Sequence, residues 1–155
     1  DMLENGGGDG SMSVISPDIF AEYGVPYDKV TTEALHQIGI KTAYHTCGKM
    51  MAQLDLVKET GCDASETLTP PDMGGDADLR EIKKRLGDTM CLIGGFDQQK
   101  GFRNGNPKII RELIEHCWEE AGTDGGYIMA ASDHFFEGDP ENIRTYVEIA
   151  KEFRY

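Results

Sequence analysis

Short apolar runs, each ending in a polar or glycine-rich cluster and each followed by a helical pattern, constrain this chain more than any other feature of its 155 residues. The runs are residues 40–45, 62–67, 90–93 and 127–131. Amphipathic stretches separate them. Residues 49–60 place Met50, Leu54 and Val57 on one face, and residues 79–86 form a shorter helix. Residues 107–121 carry Ile110, Leu113, Ile114, Cys117 and Trp118 as a buried stripe. An earlier helical pattern starts at Ser16-Pro17-Asp18, with Ser as N-cap and Pro at the first helical position. It runs to Ile38, broken near Gly24 and Pro26, and a last helix opens at Pro140 and reaches Phe153. Gly39, Gly61 and Gly87 stand where helices stop. Four strands, each followed by a helix, predict an α/β fold with a parallel sheet and right-handed crossovers. Nearly continuous apolar strands belong to a sheet covered on both faces.

Charge narrows the function. The chain has 28 acidic and 15 basic side chains, a formal charge of −13. Such a surface repels phosphates, so nucleic acid is not the expected ligand. No stretch approaches the roughly 18–20 apolar residues of a membrane span. The start, Asp1-Met2-Leu3-Glu4-Asn5, lacks the basic region and apolar core of a signal peptide, and the natural first residue is expected to lie upstream. A soluble, cytoplasmic protein follows as the expectation. Cys47, Cys62, Cys91 and Cys117 form no Cys-x-x-Cys pair, so reduced thiols are expected rather than a disulfide framework.

The reactive residues collect just after the strands: His45-Thr46-Cys47-Gly48, Ser65-Glu66, Gly94-Gly95-Phe96-Asp97 and Ser132-Asp133-His134. In parallel α/β proteins this rim carries the active site. Residues i and i+2 of an extended chain point to one side, so His45 and Cys47 can converge on one ion, and imidazole with thiolate suits zinc. A third ligand would come from Glu66, Asp97, Asp133 or His134. The competing readings are a rim histidine beside a reduced cysteine, and a Cys/His nucleophilic pair. Asp133-His134 also reads as a loop-ordering pair. Gly94-Gly95 permits close backbone approach to a ligand or a tight turn, and no dinucleotide fingerprint surrounds it. Residues 6–10, rich in glycine, read as a linker or a lid. His36 and His116 fall on helix surfaces. Tyr23, Tyr27, Phe96, Phe135 and Phe136 read as packing residues, with an aromatic pocket as the alternative.

The order Ile15-Ser16-Pro17-Asp18-Ile19-Phe20, Pro26-Tyr27, His45-Thr46-Cys47-Gly48, Gly94-Gly95-Phe96-Asp97, Gly126-Tyr127-Ile128 and Pro140-Glu141-Asn142 resembles the C-terminal half of the uroporphyrinogen decarboxylase-like superfamily. The resemblance covers residues 8–155. That superfamily holds uroporphyrinogen decarboxylase proper and zinc-dependent methyltransferases acting on methylated corrinoids. It implies a TIM (β/α)8 barrel of which residues 1–155 supply roughly the last four βα units. Such a barrel runs to roughly 250 residues. An isolated half would expose two sheet edges, so a missing N-terminal half or a homo-oligomeric partner is expected to close it. His-x-Cys-Gly is similar to the methyltransferase metal motif, which implies zinc at His45 and Cys47. Where the methyltransferases carry a further Cys, this chain has Ser132-Asp133-His134, so His134 or Asp133 is the implied substitute. His45, Cys47 and His134 are thus the candidate metal ligands, Glu66, Asp97 and Asp133 the candidate catalytic carboxylates, and Gly94, Gly95 and Phe96 the candidate cofactor contacts. The implied function is methyl transfer between a corrinoid, free or carried by a partner protein, and a thiol or other small acceptor. The alternatives are decarboxylation of a tetrapyrrole, whose gripping residues lie in the N-terminal half, and a non-catalytic barrel fragment or docking subunit.

Overall fold

The computed structural model describes residues 2–155. Strands β1 (Met2–Gly6), β2 (Lys41–Thr46), β3 (Ala64–Thr67), β4 (Cys91–Phe96) and β5 (Tyr127–Ala131) form one sheet in sequence order, every pair parallel. Helices α1 (Pro17–Tyr23) and α2 (Val25–Gln37) follow β1, and α3 (Leu54–Glu59), α4 (Leu79–Leu86), α5 (Pro107–Cys117) and α6 (Pro140–Ala150) follow the later strands in turn. The sheet therefore has five strands, not the expected four. The addition is β1, whose Glu4 and Asn5 interrupt any apolar pattern; its pairing along β2 supplies what propensity does not. The glycine run behind it is tied down as well, because the Gly7 N–H donates to the His45 carbonyl at 3.0 Å.

Local signals set the helix ends. The Ser16 hydroxyl accepts from the Ile19 N–H at 3.3 Å with Pro17 behind it, and Asp139 accepts from the Glu141 N–H at 2.8 Å ahead of Pro140. The pattern expected over 17–38 divides at Gly24 into α1 and α2. That over 107–121 ends in a π-helical turn, Trp118–Gly122, and a second such turn, Gln99–Arg103, follows β4.

Helices cover one face of the sheet. Tyr44 packs on Phe20 of α1 with ring centroids 5.8 Å apart, Phe96 packs on Tyr146 of α6 at 4.6 Å, and Leu92, Ile82, Ile110 and Ile114 are buried between them. The other face carries Ala43, His45, Ala64, Glu66, Ile93 and Ile128, the alternate residues of the same strands. Ile128 is 50% exposed there. The expectation of helices on both faces gives way to a one-sided wall whose uncovered inner face holds His45 and Glu66. No helix among the described residues is long and apolar enough to cross a membrane.

At the amino ends of the strands, Asp63 ties three elements together. Its carboxylate accepts from Lys41 Nζ at 2.5 Å and the Thr42 N–H at 2.9 Å, and lies 2.8 Å from His36 Nε2. Burial opposes its charge, but the Lys41, Thr42 and His36 contacts outweigh that and hold the carboxyl at about 2. A depressed carboxyl stabilises the fold above its ordinary value near 4 and loses that contribution as pH falls through about 2. Asp63→Asn should lower the Tm at neutral pH by roughly 2–4 °C, on the order of 1 kcal/mol after solvent screening. Thermal scans of parent and variant should converge as the pH drops from about 4 to about 2; a gap that persists there assigns the effect to something other than this ionisation.

Candidate functional site

The strand register builds the site. Gly6, His45, Glu66, Ile93 and Ile128 stand side by side in one row across the sheet, near the carboxyl ends. Glu66 is therefore the neighbour of His45 on the inner face, and its Oε1 lies 3.1 Å from His45 Nδ1. Gly6, opposite His45 on the other side, has no side chain. Glu4, one pleat below it on β1, reaches up to within 3.8 Å of the same nitrogen. The His45 side chain is 12% exposed and that of Glu4 62%. One imidazole nitrogen thus faces two carboxylates from two flanking strands.

The electrostatics follow from that geometry. The hydrogen bond to Glu66 raises the His45 pKa, burial works against it, and the charges of Glu4, Glu66 and Asp133 add to the rise. The Glu66 carboxyl is held below its ordinary value chiefly by the same hydrogen bond, against its own burial. His134 stacks on His45 with ring centroids 6.4 Å apart and planes 24° from parallel. Cys47 stands just past the end of β2, half-buried; burial and the charge of Asp133 push its thiol up, so it is a neutral thiol in this setting.

The structure brings some of the expected residues together and leaves others apart. His45 and Glu66 share a hydrogen bond, with Asp133 and His134 beside them. The ligand atoms of Glu4, His45 and Glu66 all lie within 4.8 Å of one another, and they are the only such trio of His, Cys, Asp or Glu among the described residues. Cys47 and His134, expected with His45 as a ligand set, are not members of that trio; Cys47 follows the last residue of β2, and His134 lies in the loop after β5. Asp97 is further removed. Gly94 and Gly95 take φ values of 115° and 85°, which end the alternation and turn Asp97 toward the helix layer. There it is 4% exposed, accepts from the Lys100 N–H at 2.8 Å, and lines a cavity shared with Leu113 and Cys117 of α5. Phe96 is fully buried against Phe102 and Tyr146, a packing role rather than a cofactor contact. Gly94 serves the sheet itself: a Cβ there would lie 2.0 Å from the Thr67 carbonyl oxygen.

Two residues escaped the sequence reading. Glu4 sits in a strand whose only signal is a short pattern running into glycine. Gln98 has no motif at all, yet its side chain accepts from the Ser132 N–H at 3.1 Å and from the Ser132 hydroxyl at 3.0 Å, and donates to the Asp133 carbonyl at 3.0 Å. It fixes the loop that presents Asp133 and His134. An imidazole nitrogen with two carboxylate oxygens is an acceptable donor set for zinc, and three protein ligands leave a position for a substrate. The residues present fit that metal.

A parallel βα wall with its polar cluster at the carboxyl ends of the strands defines a portion of a TIM barrel. The methyltransferase from Methanosarcina mazei has the same fold over 99% of this chain and 42% of that one, with a TM-score of 0.80 at 18% identity. The sequence model described as uroporphyrinogen decarboxylase (URO-D) matches residues 7–153, and the chain belongs to that family. Among its relatives, the uroporphyrinogen decarboxylase of Chlorobium phaeobacteroides is 26% identical over 153 residues, covering 90% of this chain and 39% of the relative. The methylcobamide:CoM methyltransferase MtbA of Methanosarcina mazei is 25% identical over 149 residues, covering 94% and 40%. The chain spans about two fifths of the length of these relatives.

Because the hydrogen bond to Glu66 is the largest cause of the raised His45 pKa, Glu66→Gln should bring that pKa down in the metal-free protein. Titration of the His45 ring protons by NMR reads this directly. An unchanged midpoint would show that Glu66 does not hold the imidazole in solution.

Proposed function

We propose that this chain carries the metal site of a zinc-dependent methyltransferase that moves a methyl group between a corrinoid and a thiol or other small acceptor. The observation that carries the reading is the sign of the site: the charges that raise His45 are Glu4, Glu66 and Asp133, all negative. An imidazole and two carboxylates converging on one point favour a cation there. His45 with Glu66 and Glu4 would hold the ion, and Cys47 and His134 stand at its margin. Zinc, when bound, lowers the pKa of a coordinated thiol and keeps it as a nucleophilic thiolate at neutral pH. Before the ion binds, the hydrogen bond between Glu66 and His45 Nδ1 holds the ring at the site. Gln98 holds the loop bearing Asp133 and His134 against the strand ends. The corrinoid is the methyl carrier, brought by a partner protein or as free substrate, and the remainder of the barrel supplies the groups that select donor and acceptor.

A second reading, decarboxylation of a tetrapyrrole, is favoured by one feature. The hydrogen bond to Glu66 raises the His45 pKa and so favours its charged form, and a charged imidazole can protonate the carbanion left when carbon dioxide departs.

Zinc content separates the two. The purified full chain should hold one zinc, measured by elemental analysis and by competition with a chromophoric chelator. His45→Ala and Glu66→Ala should each weaken it by more than the roughly 10–100-fold that even outer-shell partners cost. With the site loaded, loss of the methyl group from methylcobalamin to a thiol is followed by absorbance. A chain that binds no zinc, or binds it equally well as His45→Ala, overturns the metal reading, and carbon dioxide release from uroporphyrinogen by metal-free protein would then carry the second. Zinc bound without either reaction would leave a non-catalytic metal-binding subunit.

A further inference from the structure

A cavity of about 440 Å³ lies behind the site, on the helix-covered side of β2. Its floor is Tyr44, which alternates with His45 and so points away from the inner face. Tyr44 is 1% exposed overall, and its hydroxyl, with no hydrogen-bond partner among the described residues, opens on the cavity rather than being sealed from it. The ring is held in place by packing, so a hydroxyl without a protein partner at the edge of a cavity offers a fixed position for a ligand atom. Asp28, in the first turn of α2, lines the same cavity half-buried, and its carboxylate meets neither a cation nor a donor among the described residues. Burial pushes its carboxyl above the ordinary range, and the neighbouring charge of Asp9, also in the lining, adds to the shift. Two unneutralised carboxylates face one space.

The walls are apolar. Phe20 forms one side, and Tyr23 and Tyr27 stand at the mouth with most of their rings exposed. Aromatic faces beside carboxylates are the setting in which organic ammonium ions are held, through ring quadrupoles and charge together. The loop that closes the cavity is bare for a steric reason. A Cβ on Gly6 would lie 2.7 Å from the Tyr44 ring, and one on Gly10 would lie 2.8 Å from its hydroxyl. Only a loop without side chains at those positions can lie over Tyr44.

We propose that this cavity binds a small organic ammonium ion, its charge between Asp28 and Asp9, an N–H donated to the Tyr44 hydroxyl, and its apolar body against Phe20, Tyr23 and Tyr27. An anion is repelled by both carboxylates. A bare metal ion finds no ligand atoms on the rings, and the cluster suited to one is on the opposite face of the sheet. A neutral ligand leaves the two charges uncompensated. The proposal does not depend on the reading of the inner-face site.

The probe is phenethylammonium, titrated into the full chain by calorimetry and by NMR of the tyrosine rings, with phenethyl alcohol as its neutral isostere. Saturable binding of the cation is expected, with the alcohol about tenfold weaker or more. Asp28→Asn should weaken the cation by about tenfold while raising the Tm of the unliganded protein, since it removes a half-buried unpaired charge beside another. A purely structural Asp28 would do the reverse. Tyr44→Phe should weaken binding several-fold with little change in Tm. Should Asp28→Asn fail to fold, Asp9→Asn, on the exposed loop, serves the same comparison. Equal affinity for cation and alcohol, no saturable binding, or unchanged affinity in the carboxylate variants overturns the proposal.

Discussion

The register between β1, β2 and β3 is the constraint on which both faces of this molecule depend. Parallel strands stand about 4.8 Å apart, so residues in one row meet only if the pairing is fixed to the residue. Here it places Gly6, His45 and Glu66 in one row. A slip of one residue in β2 would exchange its faces. Tyr44 would then enter the inner face, and His45 would be buried among Phe20 and the helices. The helices on one side enforce the choice, since Tyr44 fits against Phe20 and the Asn5 amide donates to the Asp28 carbonyl at 3.2 Å. Apolar packing on one face thus sets the polar geometry on the other.

Charge acts on top of that frame. The chain has nearly twice as many acids as bases, and many of the bases are occupied far from the strand ends. Arg80 pairs with Glu120, Arg111 with Glu152 and Lys58 with Asp88, all on the outside of the helix layer. Exposed pairs of this kind add little stability. Their consequence is where they leave positive charge absent. The groups acting on His45 are acidic, so the site offers its field to a proton or a metal cation rather than to the carboxylates of a substrate. A substrate rich in carboxylates would have to be gripped by other parts of the barrel.

What could be read from the residues alone was the part governed by local rules. Caps at Ser16 and Pro140 and the stripe on α5 depend on short spacings, and they are where expected. The position of His45 and Glu66 near the carboxyl ends of their strands was legible for a similar reason, since both stand near the ends of short runs that the pattern marks as strands. β1 was not legible, because Glu4 and Asn5 give no apolar pattern and the strand exists through its partner. Glu4 went unseen with it. Asp97 was misplaced by a conformational detail: Gly94 and Gly95 at positive φ break the alternation that would have kept it on the inner face. The clamp by Gln98 depends on two loops meeting in space, which spacing along the chain does not encode.

The glycine loop after β1 is the wall between the two sites. Gly7 donates to the His45 carbonyl, a Cβ on Gly8 would lie 3.0 Å from the Cys47 sulfur, and Gly10 lies against the Tyr44 hydroxyl. The sites nevertheless differ in what they need. The helix-side cavity is enclosed by this loop, α1, α2 and β2, so every group that would recognise a cation there comes from this chain. The inner-face cluster is open, with Glu4 mostly exposed and Ile128 half exposed two strands further along the same row. Transfer of a methyl group to a thiolate requires that water be kept from the nucleophile and that the two reactants be aligned. Those are tasks for a closed barrel. Holding a metal is not, because three ligand atoms within 4.8 Å of one another come from adjacent strands of a single sheet. The proposed metal site is therefore complete on this wall, whereas the proposed methyl transfer would draw on groups outside it.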